Sequence, residues 1–309
     1  MIPTDDKDAL VERAEVADPV PAPGEALVAV EAFSLNRADL IRLTGGPRFR
    51  PDPAWRPGDD LAGTVVRAAT DGSGPAVGQR VVGYSPAGGA WAEYAAVATD
   101  RLAVPPDDVD AATATALPTA GITAARLLRS AGGLFARRVL LTGATGGVGH
   151  YVVELAVAAG AEITAVATAD EPWQRLPELG ATTVVHRIAD AEGPFDVVLE
   201  SIGGDHLPAA LAKVRRGGLV LWFGQASGQP VTLNFFDYFS GHESAAVRQF
   251  TVYDSTTSWA TDLAALVRLT ATGRLHPQFG LHRWDEVNDV ITLLDNRQLQ
   301  GKAVFILAG

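Results

Sequence analysis

The residues whose types and spacing best suit chemistry lie in Thr142-Gly143-Ala144-Thr145-Gly146-Gly147-Val148-Gly149. The apolar run Val139-Leu140-Leu141 leads into them. His150 to Ala159 follows with helical spacing of Val152, Val153, Leu155, Ala156 and Ala159, and Gly160 stops it. Glu162-Ile163-Thr164-Ala165-Val166-Ala167 then reads as a second buried strand. Strand, glycine turn, helix and strand within about thirty residues make the βαβ unit of a dinucleotide-binding fold. Ala144, Gly146 and Gly149 hold the three glycine positions of G-x-G-x-x-G, with Thr145, Gly147 and Val148 between them. Gly146 lets the backbone approach a pyrophosphate, Gly149 lets the helix pack closely on its strand, and the helix N-terminus offers N–H groups to phosphate.

The elements that must position this turn follow from the rest of the chain. Its 309 residues fit one large domain or two ordinary ones. Hydrophobic residues make up 47% and charged residues 20%, the makeup of a soluble globular protein. A net charge of −11 argues against nucleic acid or an anionic membrane as the main partner. There is no cysteine, which excludes disulfides, thiolate metal sites and cysteine nucleophiles. Met1 to Asp8 is polar and acidic, unlike a signal peptide, and no apolar run of about 18 residues is present. A cytoplasmic protein is expected.

Short strands are predicted at Ala26 to Phe33, Leu61 to Ala68, Gln79 to Gly83 and Trp91 to Ala98, with Asp71-Gly72-Ser73-Gly74-Pro75 as a turn. From Asp110 the texture becomes helical. Val139 to Thr142, Glu162 to Ala167, Thr183 to His186, Val197 to Glu200 and Leu219 to Phe223 then read as parallel strands. Helices at Asp262 to Thr270 and Trp284 to Asp295 and a strand at Ala303 to Leu307 are too few for a third domain and return to the first.

Thr142-Gly143-x-x-x-Gly147-x-Gly149 also satisfies the turn of short-chain dehydrogenases. That family needs Tyr four residues before a catalytic Lys, and Lys7, Lys213 and Lys302 are preceded there by Pro3, Ala209 and Gln298. A different set of motifs runs through almost the whole chain. It comprises Ser34-Leu35-Asn36-Arg37-Ala38-Asp39-Leu40, Pro57-Gly58-Asp59-Asp60-Leu61-Ala62-Gly63 and Val77-Gly78-Gln79-Arg80-Val81-Val82-Gly83. Gly89-Ala90-Trp91-Ala92-Glu93-Tyr94, Ala116-Leu117-Pro118-Thr119-Ala120-Gly121-Ile122-Thr123-Ala124, the glycine turn and Gly301-Lys302-Ala303-Val304 complete it. In this order the motifs resemble the medium-chain dehydrogenase/reductase superfamily and, within it, the zinc-independent quinone oxidoreductases. The resemblance implies an α/β fold: a GroES-like β domain (residues 1–112 and 248–309) interrupted by a Rossmann domain with a doubly wound parallel sheet (residues 113–247), and an active site in the cleft. It also implies a homodimer joined through the edge of the cofactor-domain sheet, at Gly218 to Phe223.

In zinc-dependent relatives a Cys stands at the place of Asn36 and a His at that of Asp59. Asp59 and Asp60 alone make a poor soft-metal site, and His186, His206 and His242 lack ligand spacing, so no metal is expected. The reaction implied is direct hydride transfer from a reduced nicotinamide to a small quinone or enone. Hydride at the β-carbon pushes charge onto the carbonyl oxygen, and the resemblance places Asn36 beside nicotinamide and substrate, where its amide can donate to that oxygen; the alternative is a structural turn amide. Arg37 and Asp39 either pair to fix the loop or serve the reaction, Arg37 on the enolate and Asp39 through a held water. Tyr84 is either a proton donor or a packing residue. Trp55 and Trp91 either wall a flat pocket or fill the core. Thr123 is placed by the resemblance near the nicotinamide carboxamide, with helix capping or packing as its other reading.

Cofactor choice turns on the end of the second strand, where an Asp or Glu would bind the ribose 2′-hydroxyl. Ala167 stands there, followed by Thr168, and Asp170 reads as an N-cap before Pro172. Arg175, His186 and Arg187 are the candidates to meet a 2′-phosphate or, equally, solvated surface charges. NADPH is therefore expected over NADH. Phe223-Gly224-Gln225 ends a later strand where ligands bind in doubly wound folds, and Asn234 and Phe235 follow in a covering loop. A reductase of enoyl thioesters or polyketide intermediates would use the same hydride step, with Arg42, Arg48, Arg50 and Arg56 as a docking patch for a carrier. An NADPH-binding protein without turnover is the reading from another class.

Overall fold

The computed structural model describes residues 1–4, 6, 9–45, 54–239 and 241–307. The chain divides into two compact units, Met1–Ile122 with Thr256–Gly309, and Thr123–Ser255.

The first stretch carries β1 (Ile2–Pro3), β2 (Val11–Glu12), β3 (Glu25–Leu35), helix α1 (Arg37–Thr44), β4 (Asp60–Arg67), β5 (Arg80–Tyr84), β6 (Tyr94–Ala98), β7 (Leu102–Ala103) and helices α2 (Ala111–Thr115) and α3 (Pro118–Ala131). Along β3, Ala26, Val28 and Val30 alternate inward as a half-buried strand requires. From Ala32 both faces are buried, because Ala32 packs against Ala116 and Val304 on one side. On the other side Phe33 stacks on Phe305 with ring centroids 5.0 Å apart and tilts against Trp91 at 5.6 Å. Burying a ring such as Phe33 contributes roughly 1.5–3 kcal/mol, so this aromatic group anchors the strand that leads into Asn36.

The second unit holds β8 (Arg138–Leu141), α4 (Gly147–Ala158), β9 (Glu162–Val166), α5 (Arg175–Glu178), β10 (Thr183–Val185), β11 (Phe195–Glu200), α6 (His206–Leu211), β12 (Val214–Trp222) and β13 (Ala246–Gln249). Its sheet runs β10-β9-β8-β11-β12-β13, parallel throughout. The order reverses between β8 and β11, as in a doubly wound fold. The parallel strands expected from the apolar runs are all present, and β13 joins them. Its alternation of exposed Ala246, Arg248 and Gln249 with Val247 gave no continuous apolar signal. β13 also corrects the expected dimer edge, since β12 is paired on both sides and the edge strand is β13.

The chain then returns to the first unit with α7 (Trp259–Ala271), β14 (Phe279–Arg283), α8 (Val287–Asp295) and β15 (Lys302–Ile306). Here β15 pairs antiparallel with β3, which sets Lys302 beside the end of that strand and extends the sheet to β14-β15-β3-β4-β5-β7. Among the described residues no helix is long and apolar enough to cross a membrane.

Candidate active site

Asn36 follows β3 directly and serves as N-cap of α1. Its backbone N–H donates to Asp39 Oδ2 at 2.8 Å, half of a capping box that fixes the turn. Its side chain sits in a buried polar network. Lys302 Nζ donates to Asn36 Oδ1, to the Leu35 carbonyl at 2.9 Å and to Asp60 Oδ2 at 3.3 Å. Asn36 Nδ2 in turn donates to Asp60 Oδ2 at 2.9 Å. Asp60 also accepts from Ser34 Oγ at 2.8 Å and from the backbone N–H and hydroxyl of Thr119 at 3.0 and 2.6 Å. A fully buried carboxylate is stable only with such partners. The amide of Asn36 is thereby oriented, with its oxygen occupied and one of its two N–H protons committed.

Asp59 and Asp39 complete the group. Asp59 pairs with Arg42 at 2.5 Å, yet burial pushes its pKa up to about 6, with Arg42 opposing and the charge of Asp60 assisting. Burial, then the charge of Asp59, pushes the Asp39 carboxyl well above the usual range. Asp39 Oδ1 is buried and has no partner among the described atoms, which fits a neutral acid. Arg37 reaches elsewhere: it donates to the Leu294 carbonyl at 2.7 Å and lies 3.7 Å from Asp295. The suggested Arg37–Asp39 pair is replaced by these separate contacts, because residues two apart in the first turn of α1 lie on opposite sides of the helix and do not face each other. Tyr84 is 2% exposed and stacks on Trp259 with centroids 4.0 Å apart. Trp91 is a core residue whose Nε1 donates to the Ser34 carbonyl, while Trp55 is half-buried against Gly88. Of the basic patch, Arg42 is engaged by Asp59 and Arg56 by the Ala54 and Trp55 carbonyls. Arg48 and Arg50 lie outside the described residues.

In the second unit the glycine turn forms as its spacing predicts. Gly146 is the N-cap of α4. A Cβ on Gly149 would stand 2.4 Å from the Ala144 carbonyl oxygen and 2.5 Å from that of Gly143, so the helix can start here only with glycine. A Cβ on Gly146 would meet nothing closer than the Gly143 oxygen at 3.4 Å. That space and the first-turn N–H groups of Gly147, Val148 and Gly149, which have no intrahelical acceptor, fit a dinucleotide pyrophosphate. His150 is buried behind them with Nδ1 2.9 Å from the Gly146 oxygen, and burial holds its pKa down.

Around the end of β9, His186 Nδ1 lies 2.9 Å from the Ala167 oxygen and Trp173 meets its ring edge-on at 5.5 Å. Arg175 pairs with Glu178, and Arg187 with Asp190. α5 starts only at Arg175 with Gln174 as its N-cap and residues 171–173 are non-helical, so Asp170 is not the cap expected. Glu171, which carried no sequence signal, instead binds the backbone N–H of Thr168 and the hydroxyl of Thr145. Thr123 is half-buried on α3. At the carboxyl edge of β12, the Phe223 N–H donates to the Glu200 oxygen, a Cβ on Gly224 would stand 2.8 Å from the Ser201 oxygen, and Gln225 donates to the Gln229 carbonyl. Phe235 lies in a 3₁₀ turn, exposed with Phe236 and Phe239. Among the described residues no group of three or more His, Asp or Glu is placed to hold a metal ion.

Comparison with known proteins matches residues 22–107 to the alcohol dehydrogenase GroES-like domain and residues 147–268 to a model described as zinc-binding dehydrogenase. A chloroplastic quinone-oxidoreductase, QR1 of Triphysaria versicolor, is 35% identical over 212 residues, 65% of this chain and 63% of that protein. The quinone oxidoreductase of Sus scrofa is 28% identical over 96% of this chain and 93% of its own length. A polyketide synthase protein, NorB of Streptomyces orinoci, is 32% identical over 88% of this chain, a match to 12% of its length. In fold, the Escherichia coli quinone oxidoreductase in complex with NADPH superposes with a TM-score of 0.86 at 22% identity, over 99% of this chain and 98% of that one.

Proposed function

We propose that this chain, a member of the quinone oxidoreductases of the medium-chain dehydrogenase/reductase superfamily by its family matches and relatives, reduces a quinone or another α,β-unsaturated carbonyl with NADPH, without zinc. Bound, the reduced nicotinamide supplies the hydride. The residues that would hold the dinucleotide are the turn from Ala144 to Gly149, with Thr123, Thr168 and the Phe223-Gly224-Gln225 edge beside it. The observation that carries the reading of Asn36 is its oriented amide. With Oδ1 held by Lys302 and one Nδ2 proton on Asp60, the remaining N–H is the donor offered to a carbonyl oxygen as charge develops there. An amide already turned by its neighbours loses no energy reorganising during the reaction. Arg37 and Asp39 act by fixing the Asn36 turn, Arg37 through α8 and Asp39 through the cap. Tyr84, enclosed by Trp259, is read as packing. Zinc independence is supported by the lack of any cysteine and by the ammonium on the Asn36 oxygen. A homodimer formed through the cofactor-unit sheet would use β13.

A second reading, reduction of an enoyl thioester, is favoured by the likeness to the polyketide synthase protein, which covers 88% of this chain. One experiment separates the readings. Oxidation of NADPH and of NADH is followed by absorbance against quinones, enones and enoyl thioesters, with and without chelator. Chelator-insensitive turnover fastest with a quinone or enone is expected. Turnover fastest with the thioester selects the second reading. Tight binding with no turnover by any acceptor overturns both, and loss of turnover with chelator overturns the zinc-free mechanism.

A further inference from the structure

The strand β9 ends without an acid, but an acid reaches its end from outside the strand. Glu171 lies in the loop before α5, and its Oε2 accepts from the Thr168 backbone N–H at 3.1 Å and from the Thr145 hydroxyl at 3.2 Å. Thr145 is the residue between Ala144 and Gly146 in the glycine turn, and only 6% exposed. One carboxylate thus ties the loop after the second strand to the turn after the first. In a doubly wound fold the adenosine ribose of a dinucleotide lies against the end of the second strand, one step beyond the pyrophosphate on the first helix.

We infer that Glu171 is a cofactor-specificity residue, which accepts from a free ribose 2′-hydroxyl and opposes a 2′-phosphate. The inference rests on the dinucleotide reading proposed above. Three observations carry it. First, the two donors at this point, Thr168 N–H and Thr145 O–H, are the groups a phosphate needs, and a carboxylate already holds them. Second, a ribose hydroxyl can donate to that carboxylate, whereas a phosphate dianion brings only acceptor oxygens and like charge. Third, each of the two arginines that could offset the repulsion already faces an acid in an exposed pair. Arg175 pairs with Glu178 and Arg187 with Asp190. Over residues 168–190 the acids Asp170, Glu171, Glu178 and Asp190 outnumber the arginines Arg175 and Arg187. Ala167 leaves the strand end without an acid in sequence, and the fold supplies one from Glu171. NADPH binding therefore has to displace or overcome this carboxylate, and its advantage over NADH is reduced.

The test is binding. Dissociation constants for NADPH, NADH, adenosine 2′,5′-bisphosphate and adenosine 5′-diphosphate are measured by calorimetry on the wild type, Glu171→Gln and Glu171→Ala, with thermal melts of each. Glu171→Gln keeps an acceptor for Thr168 and Thr145 and removes only the charge. It is expected to tighten the two 2′-phosphorylated ligands at least tenfold relative to their partners, with the gain shrinking as salt is raised. A ratio unmoved within twofold in both variants overturns the inference while leaving dinucleotide binding standing. Failure of wild type and variants to bind any of the four ligands overturns the dinucleotide reading and the inference with it.

Discussion

Lys302 and Asn36 stand 266 residues apart in the chain, and in the fold the lysine ammonium donates to the Asn36 amide oxygen. The same ammonium serves Leu35 and Asp60 and is 3% exposed. Rotating the amide would set its N–H protons against an ammonium, so the pairing fixes which end of Asn36 is the donor. Lys302→Met leaves three buried acceptors without their cation and is expected to destabilise the protein by about 3–5 kcal/mol. Because Lys302 and Asp60 share partners, the Lys302→Met, Asp60→Asn double variant should cost less than the sum of the two singles. Urea unfolding of the three variants measures this, and strict additivity would refute a shared network.

Asp60 and Asp39 are both fully buried acids, and they should respond unequally to amidation. Asp60 accepts from Ser34, Asn36, Lys302 and twice from Thr119. An amide there would turn N–H protons toward donors, at a cost of about 3–5 kcal/mol. Asp39 uses one oxygen for the Asn36 N–H, and its other oxygen is unpartnered among the described atoms. As a neutral acid it already resembles an amide, so Asp39→Asn should cost about 1 kcal/mol or less. Equal losses in the two melts would contradict the assignment of charge.

The contrast between these residues shows where the sequence was informative. The parallel strands and the glycine turn announce themselves through apolar runs and one fixed spacing, which are local. Asn36 and Asp60 sat inside recognisable motifs, yet their partnership with Lys302 depends on β15 pairing with β3, a long-range event without a local signature. β13 was missed because an edge strand needs only one covered face. Glu171 was missed because it reaches the end of β9 by a side chain that folds back, so its position in the sequence is out of step with its position in space. Asp170 has the sequence surroundings of a cap, just before Pro172, but the helix begins only at Arg175.

The raised pKa of Asp59 makes a signed prediction for pH. In the fold its proton is held up to about 6, against 3.8 for the free side chain, chiefly through burial. Between these values the folded state binds more protons than the unfolded state, so the contribution of this group to stability is full below about pH 4 and is lost as pH rises through about 6. Asp59→Asn has no such proton to lose. The stability of that variant relative to the wild type is therefore expected to improve from pH about 4 to about 7. Urea melts across the interval decide it, and a constant difference would mean Asp59 ionises as it does in the unfolded chain.

The two glycines of the turn separate folding from binding. At Gly149 an added Cβ would sit 2.4 Å from the Ala144 oxygen, a backbone atom that can move only if the turn moves. Gly149→Ala is expected to cost about 1–3 kcal/mol as overpacking and, by shifting the turn, to weaken dinucleotide binding too. At Gly146 the nearest atom is the Gly143 oxygen at 3.4 Å, so the fold has room for a methyl group. Losing glycine at an N-cap costs only about 1 kcal/mol, but the methyl group would stand where the pyrophosphate must approach the backbone. Gly146→Ala should therefore melt close to the wild type while its dissociation constant for NADPH and NADH alike rises at least tenfold. If Gly146→Ala binds both as well as the wild type does, the pyrophosphate does not lie against this turn.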